Sequence, residues 1–492
     1  MTNIPILSLL IFFPFIGALV ILLINKNDQS YEKKVKEIGL WVSIINFLLS
    51  LILLYSFDKT ESQFQFIENF KLINDLGIYY YLGIDGISLS FILLTTLLIP
   101  ICIITSWNKI SKNVSYFIAL FLIIECFLIG VFSSLDLFIF YIFFEGSLIP
   151  LFLIIGIWGG SNRVYASYKF FLFTIFGSLL MLLGIITLYF YSGTSQLTLL
   201  INTNIPFILQ IWLFLSFFAS FAIKIPMWPF HTWLPDAHVE APAPISVLLA
   251  GLLLKMGGYG FLRFNIGLLP EASAQYAWIF ILIGVITMFY GAFVALVQTD
   301  IKKMIALTSI NHMGFVILGA FTGTVFGISG AIFQMFTHAA AIGLMFMLSG
   351  YLHKVSGTRD ITVIKGLKFT SPRLASLLVL GSMAAMALPI FSSFLSEYMV
   401  IVGAINVNPI YAVTVAIPVI TVAYFLWMLQ RVVMSNPTTV RVRHHDLGTF
   451  STLTLVLYLI PLVLTLVVPW LILGVSNPIS EVYTNLISSG AA

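Results

Sequence analysis

Apolar runs of about 20 residues recur along the whole chain and are separated by short polar segments. A helix of this length crosses a hydrocarbon core about 30 Å thick. Because backbone polar groups inside hydrocarbon must be paired within the protein, these runs are predicted to be helices. The pattern predicts about fourteen spans, centred near residues 14, 46, 95, 124, 147, 178, 215, 253, 286, 311, 338, 388, 421 and 463. The predicted fold class is therefore an all-α, polytopic membrane protein.

The composition agrees with a membrane protein. The 492 residues are 60% hydrophobic and only 9% charged, whereas about a quarter of the residues of a soluble domain are charged. The longest polar stretch, residues 57–83, is too short for a separate domain. Residues 1–492 are thus predicted to form one membrane domain, with no module for nucleotide, flavin or nucleic acid. The run from Ile4 to Leu23 lacks a basic segment before it and a cleavage site after it, which indicates a retained helix.

The basic residues lie mostly at one end of the predicted spans. Such residues concentrate in the cytoplasmic or matrix loops of membrane proteins. With the N-terminus outside, the loops after odd-numbered spans hold eighteen of the 23 Lys and Arg, among them Lys26, Lys33, Lys34, Lys36, Lys109, Lys112, Lys302, Lys303, the group from Lys354 to Arg373, Arg431, Arg441 and Arg443. The opposite face keeps Lys59, Lys71 and Arg263. Both termini are therefore predicted on the outer side. The acidic loop after span 7, with Asp236 and Glu240, is an exception to this rule.

Seven ionisable residues lie at the depth of the predicted spans: Glu125, Glu145, Lys224, Lys255, His312, His338 and Glu397. A charge at the bilayer centre costs about 2.5–3.5 kcal/mol on insertion scales, so such residues usually pair or line a hydrated path. Desolvation lowers the proton affinity of a lysine, and a nearby carboxylate raises it again. Histidine can pass a proton between its two ring nitrogens. The set therefore indicates a line of proton stations.

A structural role is the alternative for single members of this set. Glu125 lies near the centre of its span without an obvious partner. His312 or His338, taken singly, is equally consistent with a packing role. Cys102 and Cys126 lie in apolar runs and are interpreted as core residues. His231 and His238, seven apart in a proline-rich stretch, are weak candidates for metal ligands. We therefore expect neither a metal nor a cofactor in this chain.

Two spans contain prolines that predict a break. Span 7 carries Pro226 and Pro229 just after Lys224, and span 12 carries Pro389 before Glu397. An interior proline removes a backbone hydrogen bond and clashes with the preceding turn. Broken spans five apart indicate duplicated five-helix units, and an odd number inverts the second copy, as in many transporters. The alternative is a chance placement of prolines. The predicted parts are peripheral spans 1–3 (1–110), a first repeat (111–265), an inverted second repeat (266–435) and a C-terminal span 14 (436–492).

The stretch from Lys224 to Gly260, KIPMWPFHTWLPDAHVEAPAPISVLLAGLLLKMGGYG, resembles the hallmark of the antiporter-like subunits of respiratory complex I. FFEGSLIPLFLIIGIWGG, INHMGF and FLSEYMV resemble its companion motifs, and the similarity covers most of the chain after about residue 80. Within this group the sequence is most similar to the chain 4, or subunit M, family of NADH-quinone oxidoreductases. Glu397, where the siblings carry lysine, favours that family. The chain departs from the motif at Ala243, Pro244 and Ile245, where Thr-Ala-Gly is usual.

The resemblance implies a role for each residue of the line. Glu145 corresponds to the carboxylate of span 5, Lys224 to its partner in span 7, Lys255 to the central lysine, His312 and His338 to the linking histidines, and Glu397 to the terminal residue. The implied activity is proton translocation within an NADH:quinone oxidoreductase, a translocase, with no redox chemistry in this chain. NADH, FMN, iron–sulfur clusters and quinone would then belong to partner subunits.

The implied partners are other membrane-arm subunits, including sibling antiporter-like subunits, and the lipid bilayer. The implied location is a bacterial cytoplasmic membrane or a mitochondrial inner membrane. Three alternatives remain from the sequence. They are a subunit of a multi-subunit Na⁺/H⁺ antiporter, a subunit of a deazaflavin- or ferredoxin-linked dehydrogenase, and a membrane scaffold whose charges only pair helices.

Overall fold

The computed structural model describes residues 5–24, 30–73, 75–107, 110–436 and 446–490. The elements of the first half are α1 (Ile6–Leu23), α2 (Tyr31–Ser56), β1 (Gln65–Ile73), β2 (Ile78–Ile84), α3 (Gly86–Ser106), α4 (Val114–Ser133), α5 (Leu137–Gly146), α6 (Leu148–Trp158), α7 (Arg163–Ser192), α8 (Leu197–Leu200), α9 (Phe207–Lys224), α10 (Trp233–Glu240), α11 (Ala243–Leu248) and α12 (Leu254–Gly260). Two π-helical turns, Leu249–Leu253 and Phe261–Ile266, flank α12. The elements of the second half are α13 (Pro270–Leu296), α14 (Ile301–Phe321), α15 (Val325–Ser356), α16 (Leu367–Thr370), α17 (Pro372–Ala385), α18 (Ser392–Val407), α19 (Ala416–Leu429), α20 (Thr449–Val456), α21 (Leu459–Val467) and α22 (Trp470–Gly490).

The helices confirm the predicted membrane fold. Thirteen helical segments of the described chain are long and apolar enough to cross a membrane. They contain every predicted span centre except the twelfth, residue 388, which lies between the shorter apolar helices α17 and α18. Three segments, Ala243–Ile266, Ile301–Phe321 and Val325–Ser356, each contain an 18-residue stretch that is buried throughout, and these stretches form the centre of the protein. The exact count of fourteen spans stays a prediction.

Both predicted breaks are present and share one backbone pattern. At the first break, after α9, Ile225 N donates to Phe221 O (2.8 Å) and Met227 N donates to Ala222 O (2.9 Å). At the second, after α17, Met386 N donates to Ser382 O (2.9 Å) and Leu388 N donates to Met383 O (3.1 Å). The residue between each pair of donors, Pro226 or Ala387, has a positive φ. These residues recur at a constant offset along the chain.

Side chains cap the carbonyls that these breaks leave free. Trp233 Nε1 donates to Ile223 O (3.0 Å) at the first break, and Ser393 Oγ donates to Ala384 O (2.6 Å) at the second. A carbonyl at a helix end has no partner inside the helix, so each cap satisfies a buried acceptor. The breaks are therefore stable parts of the fold. The duplication into two units and the inverted orientation of the second stay predictions, as do the three boundaries between the four predicted parts.

Within the described residues, paired strands are present in the polar stretch after α2, so the fold is not purely α-helical there. Strands β1 and β2 pair antiparallel there, with Gln65 opposite Ile84 and Phe70 opposite Tyr80. Glu68 of β1 accepts hydrogen bonds from the backbone N–H groups of Leu7 (2.7 Å) and Ser8 (3.1 Å). The first N–H groups of a helix lack partners and carry a partial positive charge, so a carboxylate stabilises this end of α1. The hairpin is thus fastened to the membrane helices.

The C-terminal segment also contains more than the single predicted span. Helices α20 and α21 occupy the position of span 14, and the 21-residue α22 follows. Helix α22 packs against α3, α13 and α15. Its serines and asparagines lower its mean hydropathy, which is why the apolar pattern did not reveal it.

Candidate functional site

The central lysine lies in direct contact with a histidine. Lys255 on α12 is fully buried, and its Nζ lies 2.6 Å from His338 Nδ1 on α15. The same Nζ donates to Ala250 O at 2.7 Å. Ala250 belongs to the π-helical turn before α12, a type of distortion that is frequent at functional sites. When Lys255 donates to Nδ1, a neutral His338 carries its hydrogen on Nε2.

The contacts continue from His338 to a second histidine and a carboxylate. The ring centroids of His338 and His312, on α14, lie 5.4 Å apart in an edge-to-face arrangement. His312 Nε2 lies 3.5 Å from Glu397 Oε1, on α18. All four residues of this line are at most 5% exposed. The structure thus brings Lys255, His338, His312 and Glu397 into one contiguous line, as the sequence predicted.

Neutral polar side chains hold the end of the line. Gln334 Nε2 donates to Glu397 Oε1 (3.4 Å), and Ser396 Oγ donates to Gln334 Oε1 (2.5 Å). Thr337 Oγ1 lies 3.0 Å from Ser396 Oγ. A buried carboxyl group without such partners is costly, so these contacts fix the position of Glu397. Sequence reasoning did not select Gln334, Thr337 or Ser396. The signal was available, since all three are polar residues next to predicted stations.

Glu145 and Lys224 flank the line without forming a direct pair. Among the described residues, Lys224 Nζ makes no hydrogen bond and has no ion pair within 4.0 Å. It lies 4.7 Å from the ring centroid of Phe144, the residue before Glu145. The expected contact between Glu145 and Lys224 is therefore absent here. The ammonium group instead takes part in a cation–π contact with the Phe144 ring.

A close helix contact places Lys224 next to the segment Ala243–Ile266, which carries Lys255 and is called the lysine span below. A Cβ atom on Gly257 of α12 would lie 2.8 Å from both Phe221 O and Ile225 N, at the end of α9. Only a residue without a side chain fits this approach. The break after Lys224 therefore packs directly against the helix that carries Lys255.

Glu125 lies apart from this line and has a partner that the sequence did not reveal. Asn46 Nδ2 on α2 donates to Glu125 Oε1 on α4 at 2.8 Å, and both residues are fully buried. The sequence does contain a signal for this partner, because the amide of Asn46 lies at the centre of the apolar span 2. The contact favours a structural role for Glu125.

The acidic loop after span 7 is explained by local partners. Asp236 Oδ2 lies 2.6 Å from Lys169 Nζ, and Glu240 Oε2 accepts a hydrogen bond from Asn162 N (2.9 Å). His238, between them in sequence, is fully buried and stacks on Phe346 at 4.4 Å. Across the described ranges, no group of three His, Cys, Asp or Glu side chains is arranged to hold a metal ion.

A second buried charge pair lies outside the predicted line. Arg263, interpreted from the sequence as a loop residue, is 3% exposed, and its Nη2 lies 2.7 Å from Asp85 Oδ2. Asp85 was not selected from the sequence. It caps α3, since its Oδ1 accepts from Ser88 N at 3.0 Å.

Comparison with known proteins decides the family. Residues 134–422 match the family model described as the transmembrane part of NADH:quinone oxidoreductase and Mrp antiporters. NADH-quinone oxidoreductase subunit M of Rhodobacter capsulatus is 41% identical over 445 residues, 87% of this chain and 86% of that protein. The chain belongs to the NADH-quinone oxidoreductase subunit M family. NADH-ubiquinone oxidoreductase chain 4 of Marchantia polymorpha is 43% identical over 432 residues, 87% of each chain.

Solved structures agree with membership of the subunit M family. A chain of respiratory complex I from Thermus thermophilus with bound NADH superposes with a TM-score of 0.89 and 30% identity, over 98% of this chain and 99% of that one. A chain of the Mrp complex from Dietzia sp. DQ12-45-1b has a TM-score of 0.87 at 18% identity, with full coverage of both chains. The latter likeness concerns the fold alone. Glu145, Lys224 and the four residues of the line all lie within the matched region 134–422, whereas Glu125 and Asp85 precede it.

Proposed function

We propose that this integral membrane protein translocates protons in the membrane arm of an NADH-quinone oxidoreductase. Its partners would be other membrane-arm subunits, including sibling antiporter-like subunits. NADH, FMN, iron–sulfur clusters and quinone would be held by partner subunits, where the electron transfer takes place. The observation that carries the proposal is the contiguous line from Lys255 to Glu397, because its four members touch one after another inside a wholly buried helix cluster.

Along the line, each residue would hand one proton to the next. The Lys255 ammonium donates through its 2.6 Å contact to His338 Nδ1, which leaves a neutral amine. His338 then releases the proton on its Nε2 towards His312, and Glu397 accepts a proton from His312 through the 3.5 Å contact. Both histidines return to the neutral state after each transfer. Each step moves one proton and breaks one N–H bond as another N–H or O–H bond forms.

Lys224 and Glu145 would set the timing of this transfer. The Lys224 ammonium has no hydrogen bond within the described ranges, so it can approach Glu145 or withdraw from it without breaking one. A positive charge near Lys255 weakens the hold of Lys255 on its proton. Movement of Lys224 towards Glu145 would remove that repulsion and let Lys255 take up a proton again. Electron transfer in the partner subunits would reach Glu145 as a change in electric field.

The orientation remains part of the proposal. The exposed basic residues Lys303, near the start of α14, and Lys368, on α16, lie on one side of the predicted topology, and Lys71, on β1, lies on the other. The positive-inside rule then places both termini on the periplasmic or intermembrane side of a bacterial cytoplasmic or mitochondrial inner membrane. Lys26, Lys109, Arg441 and Arg443, which contribute to this rule, lie outside the described residues.

The test is proton translocation by the intact complex in sealed vesicles. Lys255→Met should assemble and transfer electrons from NADH to quinone, yet move fewer protons per electron, since methionine fills the space without carrying a proton. Lys303→Met, an exposed lysine on α14, is the matched control and should pump normally. Unchanged proton yield in Lys255→Met would refute the proposal. Sodium transport by the wild-type complex in place of protons would favour the antiporter alternative.

A further inference from the structure

A cavity with a mostly apolar lining and a few polar side chains lies on the face opposite the lysine-rich loops. It has a volume of about 540 Å³ and is lined by residues of the loop after α2, the segment after α7, the end of the lysine span and α22. Its lining includes Gln63, Asn202, Arg263 and Tyr483. In the proposed orientation the loops after spans 2, 6 and 8 face outwards, so the cavity opens towards the outer side.

Arg263 forms the inner wall of this cavity and is held from three directions. Its Nη2 lies 2.7 Å from Asp85 Oδ2 and 3.3 Å from Ser88 Oγ, both at the start of α3. Its Nη1 donates to Tyr483 OH on α22 at 3.3 Å, and its Nε donates to Tyr259 OH on α12 at 3.2 Å. Asp85 is fully buried. The guanidinium group is therefore fixed in place, with its counter-charge behind it.

The same helical span carries Lys255 and Arg263. The two residues are eight positions apart, which corresponds to roughly 12 Å along a helix. Tyr259 lies between them in sequence and contacts both the arginine and Ser88, its OH lying 3.3 Å from Ser88 Oγ. A proton moving from the cavity along this span towards Lys255 would have to pass the guanidinium group first.

We propose that Arg263 is an electrostatic barrier that keeps protons of the outer cavity from reaching Lys255. The inference rests on the proposed function, because it assumes that Lys255 carries protons. An arginine is always protonated in proteins, so it cannot accept a proton and pass it on. Its fixed positive charge also repels an excess proton, as arginines do in pores that exclude protons. Asp85 holds the charge in the position where it closes this route.

A purely structural ion pair predicts a different outcome. Such a pair would only fasten α3, α12 and α22 together, and its loss would lower the amount of assembled complex. The complex that did assemble would remain impermeable to protons. A barrier predicts that assembled complexes without the positive charge are leaky.

The experiment measures passive proton flux through the intact complex in sealed vesicles. A pH gradient is imposed without electron donor, and its decay is followed with an enclosed pH-sensitive dye. Arg263→Gln should raise the flux by about tenfold or more, because even at an effective dielectric constant near 20 a unit charge at close range acts on a second charge with several times RT. Arg263→Lys should stay close to wild type, since it keeps a positive charge opposite Asp85.

A second substitution tests whether the leaking protons pass through Lys255. Arg263→Gln combined with Lys255→Met should return the flux to the wild-type value, because the leak needs Lys255 as its next station. If Arg263→Gln leaves Asp85 unpaired and prevents assembly, the neutral pair Asp85→Asn with Arg263→Gln replaces it and should leak as well. A passive proton flux at the wild-type value in the assembled charge-free variant would overturn the proposal that Arg263 is a barrier. A raised flux that persists when Lys255→Met is added would overturn it too. An undiminished number of protons moved per electron in Lys255→Met vesicles after donor addition would instead overturn the proposed function.

Discussion

Lys255 Nζ and His338 Nδ1 lie 2.6 Å apart, although 83 positions separate the two residues along the chain. This contact joins α12 to α15 at the centre of the membrane domain. It turns two buried groups that the sequence could only place at similar depth into neighbours that can exchange a proton directly. The predictions below test what this line and its surroundings do.

His338→Gln should separate hydrogen bonding from proton transfer. The glutamine oxygen can still accept a hydrogen bond from Lys255, so the complex should assemble. An amide does not titrate near neutral pH, so the number of protons moved per electron should fall. His353→Gln, at the exposed end of the same helix, is the matched control and should pump as wild type. Proton yield is measured in sealed vesicles with NADH and quinone. Equal yields in the two variants would leave His338 a packing residue.

Glu145→Gln should abolish the contribution of this subunit to pumping while the complex still assembles. The switch needs the negative charge of Glu145, and a neutral amide cannot draw the Lys224 ammonium away. Glu145→Asp should retain partial activity, since it keeps the charge with a shorter reach. Proton uptake and native-gel assembly are measured side by side. A fully active Glu145→Gln variant would contradict the switch.

Lys224→Met should assemble without loss of stability. A charge that is removed from a close buried pair costs about 3–5 kcal/mol. Lys224 Nζ has no hydrogen bond or ion pair in the described part of the chain, so that cost should not arise. The double variant Glu145→Gln with Lys224→Met should likewise assemble but not pump. Recovery of pumping in this neutral double variant would show that the two residues are only packing partners.

Glu125→Gln should keep normal pumping, in contrast to Glu145→Gln. The amide oxygen of glutamine can still accept the 2.8 Å hydrogen bond from Asn46. Asn46→Leu, by contrast, leaves the buried Glu125 carboxyl without its partner and should destabilise the protein by about 1–3 kcal/mol. Thermal stability and proton yield of the complex distinguish these effects. A pumping defect in a stable Glu125→Gln variant would add Glu125 to the proton line.

Single cysteines test the orientation. Lys112→Cys and Lys368→Cys should react with an impermeant maleimide only from the cytoplasmic or matrix side, and Lys71→Cys only from the outer side. All three lysines are exposed, and the native Cys102 and Cys126 are buried and free. The reverse labelling pattern would invert the proposed topology.

The sequence by itself determined the membrane fold and most of the candidate site. Apolar runs and the high cost of burying charge are signals that can be read along the chain, so the spans and the seven ionisable residues at the depth of the spans followed from them. The breaks after Lys224 and before Glu397 followed from proline chemistry. The β-hairpin and α22 did not follow, because polar residues lower the mean hydropathy of α22, and β1 and β2 lie in a stretch that the sequence showed only as polar.

Only the tertiary structure decided which of these residues touch. A position within a span gives the depth of a residue, whereas its partner depends on how neighbouring helices rotate and how closely they approach. The contact of Gly257 with the end of α9, for example, fixes where Lys224 lies relative to Lys255. For the same reason the sequence placed Lys224 beside Glu145, whereas packing put its ammonium group over Phe144. Asp85 and Arg263 became a pair because the start of α3 meets the end of the lysine span, a relationship between helices that no local pattern along the chain contains.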